Sequence, residues 1–208
     1  MTISQRLPIL LKAAKQLGIP SLGLFARYQI GLRSGYYRWV TPARSISEPE
    51  GPESWVINSR LLALPTQESL RSVRDANLPG IRTIAEEIIA GQVRLFGGHA
   101  VSLDLVPPQP LSHWTAYEIG QAKTGANDIK WVWEPARFGW TVSLAQAYLA
   151  FGDERYAQAF WHYLEVFLES NPPYQGPNWM SGQEVALRLI ALVLSIQVFL
   201  PISTHHAR

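Results

Sequence analysis

Pro135-Ala-Arg-Phe-Gly-Trp-Thr-Val-Ser-Leu-Ala-Gln-Ala-Tyr-Leu-Ala-Phe-Gly-Asp153 is the segment that decides the fold. Phe138, Val142, Ala145 and Leu149 recur at three- and four-residue spacings, which places them on one helix face, and Leu144, Tyr148 and Phe151 widen the stripe. The spacing predicts a mostly buried helix that starts at Pro135, where a missing N–H costs nothing in a first turn, and stops at Gly152 in a left-handed C-terminal conformation. Asp153 then caps a second helix with the stripe Tyr156, Phe160, Tyr163, Leu164 and Phe167, ending before Pro172-Pro173. So short a turn makes the two helices antiparallel. Ser181 reads as the N-cap of a third helix with Glu184 as its capping-box partner. In that helix Val185, Leu189, Leu192, Ile196 and Phe199 line one buried face until Pro201.

Composition supports a packed helical domain. The chain has 208 residues, enough for one domain or part of a larger one, and 47% of them are hydrophobic, enough for a core. It contains no cysteine, which removes disulfides and thiolate metal sites without locating a compartment. The apolar run from Leu189 to Ile202 is shorter than the roughly 20 residues that span a bilayer, so it reads as a buried helix and no transmembrane segment is expected. Leu7 to Leu11 is broken by Lys12 too early for a secretory signal. Export is therefore unsupported by the sequence, which on its own would suggest the cytoplasm, and the compartment stays unknown.

The net charge of +2 conceals an uneven distribution. Arg6, Lys12, Lys15, Arg27, Arg33, Arg38 and Arg44 lie in the first 44 residues, which contain no Asp or Glu. Residues 1–44 therefore form a basic helical arm, and residues 45–208 the body. The arm's cations either face solvent or meet a polyanion, a protein partner or an anionic membrane surface by peripheral contact. Without a recognisable binding motif, no nucleic-acid partner is expected.

The arm divides into helical segments over 3–17 and 22–37 around Gly18-Ile-Pro20, followed by a polar loop from Thr41 to Glu53. Beyond the apolar Leu61 to Leu64, a helix begins near Thr66, with Pro65-Thr66 as its restart. A further helix, Pro79 to Ala90, carries Ile81, Ile84, Ala85 and Ile88 at helical spacing and stops at Gly91. Gln92 to Phe96 suits a short strand before Gly97-Gly98. Val101 to Asp128 is long for a structureless connection, so it is a functional loop or hides an element.

Six of the eight Trp (Trp114, Trp131, Trp133, Trp140, Trp161 and Trp179) fall in the helical region or its loops. Such rings either pack helices or stack on sugar faces, where a broad apolar surface with one polar edge suits CH faces and hydroxyl rims. Trp140 and Trp161 read as core, Trp131 and Trp179 as cleft candidates. Glu184 and Arg188 stand i, i+4, and Glu134 and Arg137 i, i+3. Each pair either closes on itself, braces the preceding loop, or presents a guanidinium fork to a carboxylate or sulfate. His99, His113 and His162 lack metal spacing, so no metal site and no cofactor is expected.

Asp128-Ile-Lys-Trp131, Trp133-Glu-Pro-Ala-Arg137, Gly152-Asp-Glu-Arg-Tyr156, Asn171-Pro and Asn178-Trp179 leading to Glu184-Val-Ala-Leu-Arg188 occur in an order that resembles the N-terminal helical domain of heparinase II/III family polysaccharide lyases. The resemblance implies an all-α fold, part of an (α/α) toroid of helix hairpins with little or no β, which in full members precedes a β-sandwich. It implies β-elimination on uronic-acid polysaccharides, in which a base takes the proton beside the carboxylate and an acid protonates the leaving oxygen. Family members use Tyr and His with a neutralising Asn, and those segments align beyond Leu200. The expectation is a truncated toroid with no catalytic residue, inactive alone, whose partners are an acidic polysaccharide and the missing C-terminal part of a lyase. Trp131, Glu134, Arg137, Asn178, Trp179, Glu184 and Arg188 are its expected substrate-binding residues. By analogy the family points to the periplasm or the exterior. Two alternatives stay open: a non-catalytic helical carbohydrate-binding or interaction module, and a toroid glycosidase using two of Glu118, Asp128, Glu134 and Glu184. A partial toroid would also leave Val185, Leu189, Leu192 and Ile196 exposed and favour self-association.

Overall fold

The computed structural model describes residues 3–43 and 67–206. It is mostly helical with one small two-stranded sheet, an all-α fold as expected. Two compact units divide the chain, Met1–Pro42 and Ala43–Arg208. Arg44, most of the polar loop to Glu53, Leu61 to Leu64 and the restart at Pro65-Thr66 lie outside the described residues.

The first unit holds α1 (Ile3–Arg33) and α2 (Tyr36–Val40). The break expected around Gly18 is present, for Gly18 leaves the helical region at φ 75°, ψ 161°, but helix resumes at once and no linker separates the halves. Pro20 falls in the first turn after the break, where its missing N–H is harmless.

The second unit begins with α3 (Gln67–Ile89). Two expected helices are one here, because Pro79 is carried inside α3 and does not restart it. Ile81, Ala85 and Ile88 are buried as their spacing predicts, whereas Ile84 is exposed. Gly91, at φ 78°, ends the turn after α3 and feeds β1 (Gln92–Arg94). β1 pairs antiparallel with β2 (Ala100–Ser102), Val93 opposite Val101, so of the two readings of the segment from Val101, a functional loop or a hidden element, its start holds an element. It also hides α4 (Trp114–Glu118).

The helix expected to begin at Pro135 is two helices. α5 (Lys130–Ala136) contains Pro135, and α6 (Gly139–Phe151) starts after Phe138, which is left-handed at φ 60°, ψ 20°. A bulky residue there costs on the order of 1–3 kcal/mol. Complete burial of Phe138, edge-on to Phe167 at 5.0 Å and beside Trp140 at 5.2 Å, offsets that cost. The Trp140 indole then donates to the Pro135 carbonyl across the break at 3.0 Å.

α6 packs on α3, α7 (Arg155–Ser170) and α8 (Gly182–His206), so it forms the centre of the core. Gly152 takes the left-handed cap at φ 68°. Asp153 accepts from the Arg155 backbone at 3.0 Å, one residue before the N-cap position of α7, which Glu154 occupies without a side-chain cap bond; the predicted stripe of α7 is buried at Tyr156, Phe160, Leu164 and Phe167 and half-buried at Tyr163. Small residues let α6 and α8 approach, and a buried bond of 2.7 Å from Ser195 to Thr141 joins them.

α8 departs from expectation in three ways. It runs through Pro201 to His206, so the terminal histidines extend the helix and are no tail. Its buried face is Glu184, Arg188, Ala191, Ser195, Val198 and Phe199, rotated by about one position from the apolar stripe expected, because two charged residues have partners inside. Leu187, Leu189, Ile190 and Leu194 are consequently exposed, while Val185, Leu192 and Ile196 are half-buried. Gly182–Phe199 is long and apolar enough to cross a membrane, contrary to the length argument above, but the same stretch buries Glu184, Arg188, Ser195 and Gln197 in protein.

Candidate functional site

The expected binding residues separate into a buried latch and an exposed cleft edge. The latch fixes the loop between α7 and α8, which contains a 3-10 turn at Pro177–Trp179. Asn171, buried at the end of α7, donates to the carbonyls of Leu105 at 2.9 Å and Phe167 at 3.0 Å and accepts from the Asn178 amide at 2.8 Å. The Trp179 indole donates to the Asn171 carbonyl at 3.2 Å, and Trp133 donates to Pro177 at 3.0 Å. Each indole thus satisfies its polar edge on the backbone while the rings pack.

Arg188 closes the latch. It is 5% exposed and donates from Nε to the Ala136 carbonyl at 2.6 Å and from Nη2 to the Asn178 carbonyl at 3.0 Å. Its guanidinium lies over Phe167 at 4.6 Å and Trp179 at 5.7 Å. Burial lowers its pKa to about 10, with Glu184 opposing that shift by favouring the charge. The i, i+4 pair does not close on itself: Arg188 braces the loop, and Glu184 accepts from Arg137 Nε at 2.5 Å and Nη2 at 2.9 Å. The second half of the capping box is likewise unmade. Ser181 accepts from the Glu184 N–H at 3.4 Å, but the Glu184 carboxylate is held by Arg137.

Arg137 links the two regions. Its third nitrogen, Nη1, donates to Glu134, so one guanidinium serves two carboxylates. The hydrogen bonds it donates to Glu184 raise its pKa above the ordinary arginine value against a desolvation that lowers it. Glu134 and Glu184 on one guanidinium are poorly placed as a free acid and base, and Asp128 spends an oxygen capping Lys130 N at 2.9 Å.

Glu134 and Arg137 line a cleft of about 310 Å³ with Glu87, Ile88, Val93, Arg94 and Trp140. The cleft is walled by the end of α3, β1, α5 and the start of α6. Arg94 forms a two-point contact with Glu87, Nε at 2.8 Å and Nη2 at 2.6 Å, which lowers the Glu87 pKa and raises that of Arg94. Among these lining residues the charges of Glu87 and Glu134 balance those of Arg94 and Arg137, and none is a Tyr or a His.

Beside the cleft residues Leu95 and Glu134, Phe96 and Trp131 meet edge-to-face at 5.3 Å while remaining 55% and 52% exposed. Phe96 is held left-handed at φ 54° in the β1–β2 connection. Sequence reading singles out Trp131, which is exposed but outside the cleft lining, and does not single out Phe96, Glu87 or Arg94. The available signal was an aromatic immediately before Gly97-Gly98, at the tip of the hairpin.

His113 caps α4 by accepting from Thr115 N at 3.4 Å, and His99 and His162 are exposed. Among the described residues no group of three His, Asp or Glu is placed to hold a metal ion.

Compared with known families, residues 112–202 match the model described as Heparinase II/III N-terminus. The match covers α4 to most of α8, with the latch except Leu105 and with the α5 wall of the cleft; α3 and β1 lie before it. No curated protein and no solved structure gives a significant match.

Proposed function

We propose that the cleft beside Phe96 and Trp131 binds a uronic-acid polysaccharide for a lyase that acts by β-elimination, a reading supported by the match of residues 112–202 to the Heparinase II/III N-terminus model. The exposed aromatic pair next to balanced carboxylates and guanidiniums carries this reading. Rings that stay half in water, although apolar, suit the CH faces of sugars, and Glu87 and Glu134 suit their hydroxyls. Arg94, 48% exposed, is the lining guanidinium that is not bridged between two acids, so it is the one that meets the uronate carboxylate.

Because the lining charges cancel, the cleft is no electrostatic trap, and affinity comes from stacking and hydrogen bonds. Binding therefore depends weakly on salt. β-Elimination needs a base and an acid within hydrogen-bond reach of the sugar, and Glu134 is already tied to Arg137. This domain thus acts as the binding part of the machinery, with elimination supplied by other residues. Trp131, Glu134 and Arg137 act at the cleft, while Asn178, Trp179, Glu184 and Arg188 act through the geometry they impose on α5.

The test is to incubate the purified chain with a panel of uronate polysaccharides, recording binding by calorimetry and unsaturated product by ultraviolet absorbance. Binding without product is the expected result. Product formation would place an elimination site within these residues, and absence of binding to every member would remove the glycan reading.

A further inference from the structure

We propose that the N-terminal unit, Met1–Pro42, is a docking element for an anionic lipid surface. Its composition is one-sided: the first 44 residues hold seven Lys or Arg and no carboxylate. Lys12, Lys15, Arg27, Arg33 and Arg38 are all exposed. The same unit exposes large apolar side chains, Ile19 at 85% and Trp39 at 78%, with Leu24, Phe25 and Ile30 above half.

A solvated basic helix accounts for the cations alone. It leaves unexplained why Ile19, Phe25 and Ile30 in α1 and Trp39 in α2 stand in water, since large apolar side chains clustered in one small unit are normally covered. A hydrated polyanion, including an acidic glycan, matches the charges but gives those side chains nowhere to go. An anionic bilayer surface accepts both: phosphate and serine headgroups meet Lys and Arg, and the acyl boundary takes Ile and Phe. Tyr36 and Trp39, whose rings lie 6.3 Å apart in α2, are of the residue types that settle at the headgroup level. Contact with this surface is peripheral, because Arg27 and Arg33 interrupt the apolar residues of α1 within two turns.

The experiment is vesicle flotation of the full chain with phosphatidylcholine alone and with phosphatidylcholine–phosphatidylserine mixtures. Binding is expected to be at least roughly tenfold tighter on the anionic vesicles and to weaken with salt. Arg27→Glu/Arg33→Glu/Arg38→Glu should abolish that preference, and Ile19→Ser/Ile30→Ser/Trp39→Ser should lower binding to both vesicle types. All these positions are exposed, and unchanged circular dichroism checks the fold. As a second readout, Trp39→Phe should keep binding but lose most of the fluorescence quenching by brominated lipid. Equal affinity for neutral and anionic vesicles, no vesicle binding, or binding indifferent to the serine replacements would each overturn the proposal. So would loss of soluble acidic-glycan binding in the charge variant without any vesicle binding, which would make the arm a glycan surface.

Discussion

Two sets of polar and aromatic residues face each other across α5, and they have opposite fates. Asn171, Asn178, Trp179 and Arg188 are turned inward and hydrogen-bonded to backbone or to each other. Glu134 and Arg94 line a cleft, and Phe96 and Trp131, each more than half exposed, stand next in sequence or one helical turn from its lining residues Leu95 and Glu134. The difference teaches that a motif rich in Asn, Trp and Arg can report on how a loop is built as readily as on what it binds. Arg137 belongs to both sets, since its guanidinium joins buried Glu184 to cleft-lining Glu134.

The sharpest way to break this contrast is Arg188→Met, which keeps the stem but orphans the carbonyls of Ala136 and Asn178. Two buried acceptors left unpaired cost about 2–4 kcal/mol in total, after allowing for the relief of a desolvated charge. Urea unfolding should show that loss, and an unchanged midpoint would mean the latch is not structural.

Next in size is Glu184→Gln, which weakens a charge-assisted contact between groups that are 5% and 29% exposed. The expected cost is about 1–2 kcal/mol. At the same time Arg137 loses one of its two anionic partners, so affinity for a uronate oligosaccharide should rise while stability falls. Opposite signs in calorimetry and urea unfolding would sharpen the division of labour, whereas a fall in both would merge the two sets.

Phe96→Ala/Trp131→Ala should do the reverse of Arg188→Met. Stability changes by less than about 1 kcal/mol, as expected for exposed residues, whereas glycan binding weakens roughly tenfold, equivalent to about 1.4 kcal/mol. Calorimetry on the folded variant checks this.

The smallest effect is at Asp153, whose carboxyl is held below the usual range first by side-chain and then by backbone hydrogen bonds from Arg155. The folded pKa is lower than the unfolded one, so the associated stability is fully present above the ordinary carboxylate value of about 4 and disappears as pH falls through the folded value. Asp153→Asn keeps an acceptor for the Arg155 N–H but cannot titrate. The stability gap between the two proteins should be a fraction of a kcal/mol at neutral pH, about what an exposed pair contributes, and should close in acid. Urea titrations at several pH values decide this, and a gap that persists in strong acid would assign it to the shape of the cap.

Local chemistry made much of the fold legible. The stops at Gly91 and Gly152, the start of α7 just after Asp153, the strand after Gly91 and the buried stripe of α7 all depend on neighbours within a few residues. What escaped depends on partners far along the chain. The buried face of α8 is set by Glu184 and Arg188, whose contacts lie 47 and 52 residues away at Arg137 and Ala136. Phe138 breaks an otherwise continuous helical pattern because its ring gains more against Phe167 and Trp140 than its backbone loses. Trp131 was legible as an exposed aromatic from its place outside the core helices, but Phe96 and Arg94 became neighbours of α5 only through the packing of the hairpin. The same nonlocality left Arg188 readable as either a fork for a ligand or a brace.

The central claim, that a glycan meets the cleft edge and not the latch, is tested most directly by amide hydrogen exchange of the intact chain with and without a uronate oligosaccharide. The account predicts new protection at Gln92–Phe96 and Lys130–Arg137, with Asn171–Arg188 already protected and unchanged. Protection gained in Asn171–Arg188 and none at Gln92–Phe96 would contradict it, and would make the buried asparagines and Arg188 the surface that opens to receive the sugar.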